Sequence, residues 1–172
     1  MPSKFGILRI GSNGAKFVDP IYERTLFKVM GICEIQSPTF VGVGSRVLVH
    51  DNGTLRLGGG KISARSTILC NKLIEIEEGF LCSWDCCIMD LDYHRIYDAN
   101  DKDRTRINPA TPVHIGKNVW VGCRSLILKG ATIPANSVIA AGSTITGNYT
   151  QENCIYGDFG KVIKTDIMWS EI

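Results

Sequence analysis

The chain has 172 residues, 44% hydrophobic and 21% charged, with a net charge of +2. That length suits one domain, or one domain with a short extension, and the apolar share excludes a disordered chain. So small a net charge, without a basic cluster, gives no electrostatic case for nucleic acid.

The opening stretch MPSKFGILRIGSNG holds no apolar run of signal-peptide length, and no segment approaches a membrane span. A cytoplasmic protein is therefore expected. The seven cysteines (Cys33, Cys70, Cys82, Cys86, Cys87, Cys123 and Cys154) are an odd number. A cytosolic chain keeps its thiols reduced, so most of them read as small buried hydrophobes. Cys82, Cys86 and Cys87 lack the paired C-x2-C spacing of a zinc site, and no metal is expected.

Residues 1–40 carry little periodic signal. Lys4–Ile10 and Ala15–Val18 read as short strands around a Gly11–Gly14 turn, and Tyr22–Met30 has a weak helical pattern at Leu26, Val29 and Met30. This segment is expected to cap a repeat structure that occupies 41–172, because the open end of a stacked array needs covering. From Phe40 a spacing of six emerges: Val43, Val49 and Leu55, then Ile62, Ile68 and Ile74, then Ile76, Cys82 and Ile88. Val41–Asp90 reads as two to three worn coils, with Gly58–Gly60 marking a turn or a break in register.

The rhythm is then interrupted, since 27 residues separate Ile88 from Ile115. Arg95–Pro112 is polar, charged and closed by two prolines, so a loop is thrown out near 95–112. Long loops in compact domains are usually functional.

Past the loop the rhythm becomes strict. Ile115, Val121, Ile127, Ile133, Ile139 and Ile145 are spaced by six. Val113, Val119, Ser125, Ala131, Ser137 and Ser143 form a second series in phase. A period of six fits neither a helix nor an ordinary strand. It fits a chain that runs extended, turns and repeats, with three rungs to each turn of a parallel β-helix. Ile115 should then stack under Ile133, Val121 under Ile139 and Ile127 under Ile145. After Asn148 the sixes stop. Tyr149–Tyr156 reads as a connector. Val162, Ile163, Ile167 and Met168 suit a short terminal helix or strand packed on the last coil.

Two residues stand out chemically. His94 sits where the rhythm breaks, near Asp90 and Asp92. A neutral imidazole can take a proton from a hydroxyl, and a nearby acceptor can fix its tautomer. A histidine that only hydrogen-bonds the loop fits the same residues. His50 reads as a turn residue, and His114, next to a core position, as outward-facing. Trp120 precedes the core Val121, so its indole projects outward and needs a partner, either a subunit or a ligand.

The run HIGKNVWVGCRSLILKGATIPANSVIAAGSTIT, preceded by MDLDYH and followed by KVIK, resembles the hexapeptide-repeat acyltransferases with a left-handed β-helix. Within them it is most similar to the O-acetyltransferases of capsule, O-antigen and other surface glycans. The resemblance covers Ile88–Trp169. It implies an all-β, left-handed parallel β-helix. It also implies an acetyl-CoA-dependent O-acetyltransferase that works as a homotrimer, with sites between subunits and a sugar or glycan acceptor. His94 falls on that family's general base and Trp120 on its tryptophan beside the pantetheine arm. Cys123 and Ala141 fall on backbone contacts to that arm, Thr146 near the far end of the cofactor, and Lys161 and Lys164 on the nucleotide phosphates. Asp90, Asp92 and Trp84 are assigned to substrate or orienting roles. Asp158, Phe159 and Gly160 depart from the family's usual Asn-Pro-Ala. An amino-sugar N-acetyltransferase, a serine acetyltransferase and a non-catalytic scaffold remain as alternatives. A γ-class carbonic anhydrase shares the fold but needs three converging histidines.

Overall fold

A computed structural model describes residues 6–12, 18–19 and 21–171. The chain winds into a three-walled solenoid of about seven turns. Its first turn is β1 (Leu8–Ser12), β2 (Leu26–Val29) and β3 (Ile32–Ile35). The second is β4 (Thr39–Gly42), β5 (Arg46–Val49) and β6 (Thr54–Leu57), and the third is β7 (Gly60–Ile62), β8 (Thr67–Cys70) and β9 (Leu73–Ile76). Then come β10 (Phe80–Cys82), β11 (Cys87–Met89) and β12 (Val113–Ile115), followed by β13 (Trp120–Val121), β14 (Leu126–Ile127) and β15 (Thr132–Ile133). The sixth turn is β16 (Val138–Ile139) and β17 (Thr144–Ile145), and β18 (Ile155–Tyr156) and β19 (Val162–Lys164) close the chain.

Each strand from β1 to β18 pairs in parallel with the strand one turn away. The first wall is β1-β4-β7-β10-β13-β16-β18, the second holds β2 to β17 and the third β3 to β15. This all-β stack is the parallel β-helix expected from the rhythm, and it is consistent with the left-handed form that the resemblance implies. The predicted columns are present: Ile115 pairs with Ile133, Val121 with Ile139 and Ile127 with Ile145. All six are buried, and so are the six residues of the companion series.

Two features of sequence build the corners. Where the third wall passes into the first, Gly79, Asn118, Asn136 and Asn153 all have a left-handed φ. Glycine and asparagine enter that region at the least steric cost. The amide of Asn118 donates to Asn136 Oδ1 across one turn at 3.1 Å. At Gly60 a Cβ would lie 2.1 Å from the Phe80 carbonyl oxygen, so the Gly58–Gly60 run is where two turns approach too closely for a side chain.

The worn spacing of the early coils also has a cause. Strands β5, β6, β8 and β9 have four residues each and point two of them inward. Val41 and Ile62 stack although 21 residues apart, whereas Val121 and Ile139 stack at 18.

Two expectations need correction. Among the described residues of 1–40, β1, β2 and β3 lie in parallel register with β4, β5 and β6 and form the terminal turn of the stack. Phe27 and Cys33, six apart, already occupy the inward columns of Val47 and Leu55. Having a neighbour on one side only, they are half-buried, and a short strand over Leu26–Val29 replaces the helical pattern. Of the Ala15–Val18 strand, all but Val18 lies outside the described residues. At the other end, Tyr156 belongs to the core rather than to a connector. The expected terminal strand is present as β19, antiparallel on β18, but Val162, Ile163 and Met168 are exposed.

Candidate active site

The loop leaves the second wall after Met89 and rejoins the third at Val113, starting slightly earlier than predicted. Its floor is Asp90, which is fully buried. The Asp90 carboxylate accepts the backbone N–H groups of Asn71, Lys72 and Leu73 at 2.8, 2.7 and 2.8 Å. Burial, and then the Asp90 charge, push the neighbouring Cys70 thiol up to about 12. A carboxylate so enclosed cannot touch an acceptor or the His94 ring. The substrate or orienting role read for Asp90 becomes that of an anchor below the loop.

Above that floor a polar network sets the shape. Asn108, nearly fully buried, donates its amide to Asp92 Oδ2 and to the His94 carbonyl, each at 2.8 Å. Its Oδ1 accepts the Ile96 N–H at 2.7 Å and Arg106 Nε at 3.2 Å. One side chain thus ties the two arms of the loop together. Asp92 Oδ2 also takes Lys129 Nζ at 2.5 Å, which pins the loop to the turn above. That ammonium holds the Asp92 carboxyl below its ordinary value. Asn108 was invisible in the sequence because the whole stretch reads as outward and polar. Its only signal is its place directly before Pro109.

His94 is therefore held by its backbone. Tyr93 adopts φ 58°, and the His94 N–H bonds the Asp92 carbonyl at 2.6 Å across this tight turn. Left-handed backbone at a bulky residue is uncommon and often found where function demands a particular aim. His94 itself is exposed. The Tyr93 hydroxyl meets His50 Nε2 at 3.2 Å, with the rings edge-on at 5.7 Å. His50 braces the loop, a task its reading as a turn residue does not include.

The other expected residues lie elsewhere. Trp120 stands on the outer face of β13, with its indole N–H donating to Ser83 Oγ at 3.0 Å. Trp84, Cys123 and Ala141 follow one another up the corner between the first and second walls. The Trp84 carbonyl accepts the Arg124 N–H at 3.1 Å, and the Cys123 carbonyl accepts the Gly142 N–H at 2.8 Å. Thr146 follows β17 at the next corner, the one from which the His94 loop emerges two turns below. Its carbonyl accepts the Tyr149 hydroxyl. Lys161 and Lys164 are exposed beside and within β19. The structure thus gathers Trp120, Trp84, Cys123 and Ala141 at one edge, and His94 and Thr146 at another. Among the described residues, no hydrogen bond or ring contact joins His94 to Trp120.

His114 faces outward and meets Glu75 Oε2 at 3.2 Å. Among the described residues, no group of three or more metal-ligating side chains converges. All seven cysteines are free, four of them buried. No helix among the described residues is long and apolar enough to cross a membrane.

Residues 112–147 match the family described as bacterial transferase hexapeptide (six repeats). Over 134 residues the chain is 28% identical to "Probable acetyltransferase Rv3034c" of Mycobacterium tuberculosis, a match that covers 76% of the chain and 43% of that protein. The chain spans less than half the length of the curated relatives it matches. Its fold resembles that of the polySia-specific acetyltransferase NeuO, with TM-score 0.58 and 21% identity over 87% of this chain and 86% of that one. It also resembles the polysialic acid O-acetyltransferase OatWY, with TM-score 0.54 and 20% identity over 96% and 87%. At such identities the likeness is one of fold. Residues 112–147 thus match a hexapeptide-repeat family, and the chain as a whole shares the stacked, three-walled β-solenoid fold of these solved acetyltransferases.

Proposed function

We propose that the protein is an acetyl-CoA-dependent O-acetyltransferase that moves an acetyl group to a hydroxyl of a sugar or glycan. The observation that carries this reading is the exposed His94, aimed by the Asn108–Asp92–Lys129 network from a loop that interrupts a hexapeptide solenoid. The acetyltransferase name of the Mycobacterium relative and the O-acetyltransferase title of a solved neighbour support it.

In this reading the His94 imidazole takes the proton of the acceptor hydroxyl as its oxygen attacks the thioester carbonyl. The tetrahedral intermediate collapses, the C–S bond breaks, and the thiolate recovers the proton from the imidazolium. Backbone N–H groups of the coil would steady the oxyanion. Trp120 flanks the pantetheine arm, Cys123 and Ala141 meet it along their corner, Thr146 lies near its far end, and Lys161 and Lys164 offer cations to the phosphates.

His94 and Trp120 occupy different edges of one chain, so a complete site needs a second copy, as in a homotrimer. The exposed apolar residues on the second wall and loop support such packing: Leu26, Leu126, Ile96 and Ile107. The test is release of free thiol from acetyl-CoA against a panel of sugars, nucleotide sugars and oligosaccharides. Sedimentation of the same sample reports the assembly. Hydrolysis alone with every acceptor, or transfer by a monomer, would overturn the reading.

A further inference from the structure

The carboxyl-terminal arm runs back down the first wall, across the surface that carries Trp120. The Ile167 N–H donates to the Asn153 carbonyl at 3.0 Å. The Trp169 indole N–H donates to the Asn118 carbonyl at 2.9 Å, and its ring lies 6.0 Å from that of Trp120, tilted by 45°. At the far end, Glu171 pairs with Lys61 Nζ at 2.5 Å. A groove of about 260 Å³ remains under the arm, lined by Phe40, Leu81, Asn118, Trp169 and the Lys61–Glu171 pair.

Among the described residues these attachments are few: the Trp169 hydrogen bond is part-buried and the Lys61–Glu171 pair lies at the surface. Met168, between two of them, is 96% exposed, so the arm touches the wall without embedding in it. Lys61 and Glu171 are each about half exposed, and pairs of that kind hold weakly and are screened by salt. The segment that leads into the arm is β19, which contains Lys164 and follows Lys161 directly. A molecule that gripped those lysines would therefore pull on the base of the arm while needing the wall beneath its tip.

We propose that the arm, residues 165–171, is a latch: it occupies the Trp120 wall and must swing away before an acyl thioester can lie there. The latch rests on the reading of Trp120 as the pantetheine-side residue. The Trp169 ring already covers one flank of Trp120, so arm and donor compete for one surface. Were the arm closed about nine times in ten, the apparent donor affinity would be about tenfold weaker than the intrinsic one.

The test is calorimetry with coenzyme A on the full chain, as wild type, Trp169→Ala and Glu171→Ala, with each fold checked by circular dichroism. The latch predicts binding about tenfold tighter in Trp169→Ala and a smaller gain in the same direction in Glu171→Ala. It also predicts that coenzyme A speeds hydrogen exchange at the Ile167 amide. Unchanged or weaker binding in both variants, or slower exchange at Ile167, would overturn the latch and leave the donor site standing. If coenzyme A bound none of the three proteins, the Trp120 assignment would fall and the latch with it.

Discussion

The wall of turns five and six and the loop from Asp90 to Pro112 are held by opposite means. In the wall, Val121, Ile139 and Tyr156 stack in one column, and every turn repeats the backbone ladder of the last. No single residue defines it, since the neighbours above and below say the same thing. In the loop, one buried amide and two carboxylates hold the chain in shape, and none of them has a second copy. Repetition gives the wall its stability, and a few non-repeating contacts give the loop its aim. The two should fail differently when broken.

The sharpest break is at the loop's tip. His94→Ala should lower acetyl transfer by ~10²–10⁴-fold, or roughly 3–5.5 kcal/mol of transition-state stabilisation, while the melting temperature stays put. Near-normal turnover in steady-state kinetics would remove the imidazole from the mechanism. On the wall, Ile139→Ala should cost about 2–5 kcal/mol in denaturant melts, by emptying a fully buried site between two stacked neighbours. If turnover per folded molecule fell as well, wall and loop would be coupled after all.

Asn108→Ala tests the network between them. It strips partners from Asp92, the Ile96 N–H and the His94 carbonyl, a local loss of about 1–3 kcal/mol. Transfer should fall roughly 10- to 100-fold through misplacement of His94, with faster exchange at the Ile96 amide. Full activity with a loosened loop would mean that aim does not matter.

The smallest effect is at Lys129, whose pair with Asp92 is partly exposed and worth at most about 1 kcal/mol. The pair keeps the Asp92 carboxyl below its usual value. Its stabilisation is therefore complete above about pH 4, the unfolded value, and is lost as pH falls through the lowered folded value. Exchange within the loop should quicken over that acid range in the wild type and be flatter in Lys129→Ala. Identical profiles would show that the ion pair contributes nothing.

Much of this architecture was legible from residues alone, and the reason is periodicity. A spacing of six with small residues in phase has few structural solutions, so the columns from Ile115 to Ile145 and the break before them could be read directly. The first turn was not legible. Its strands have one neighbour, its inward residues Phe27 and Cys33 are half-buried, and the stretch between β1 and β2 carries no rhythm. The candidate site divides the same way. His94 and Trp120 could be picked out because each breaks a pattern, whereas Asn108, alike in type to its polar neighbours, could not.

By itself, then, the sequence determined the repeat, its inward columns and the place where a loop must leave, because each is a local consequence of spacing along the chain. The folded chain alone shows that the buried Asp90 holds the N–H groups of Asn71, Lys72 and Leu73, that Asn108 bonds the His94 carbonyl and Asp92, that His50 meets Tyr93, and that the Trp169 ring lies beside Trp120. Those contacts join residues between 14 and 49 positions apart, or tens of positions across turns. Their partners are chosen by which surfaces the coils bring face to face, and no local pattern records that.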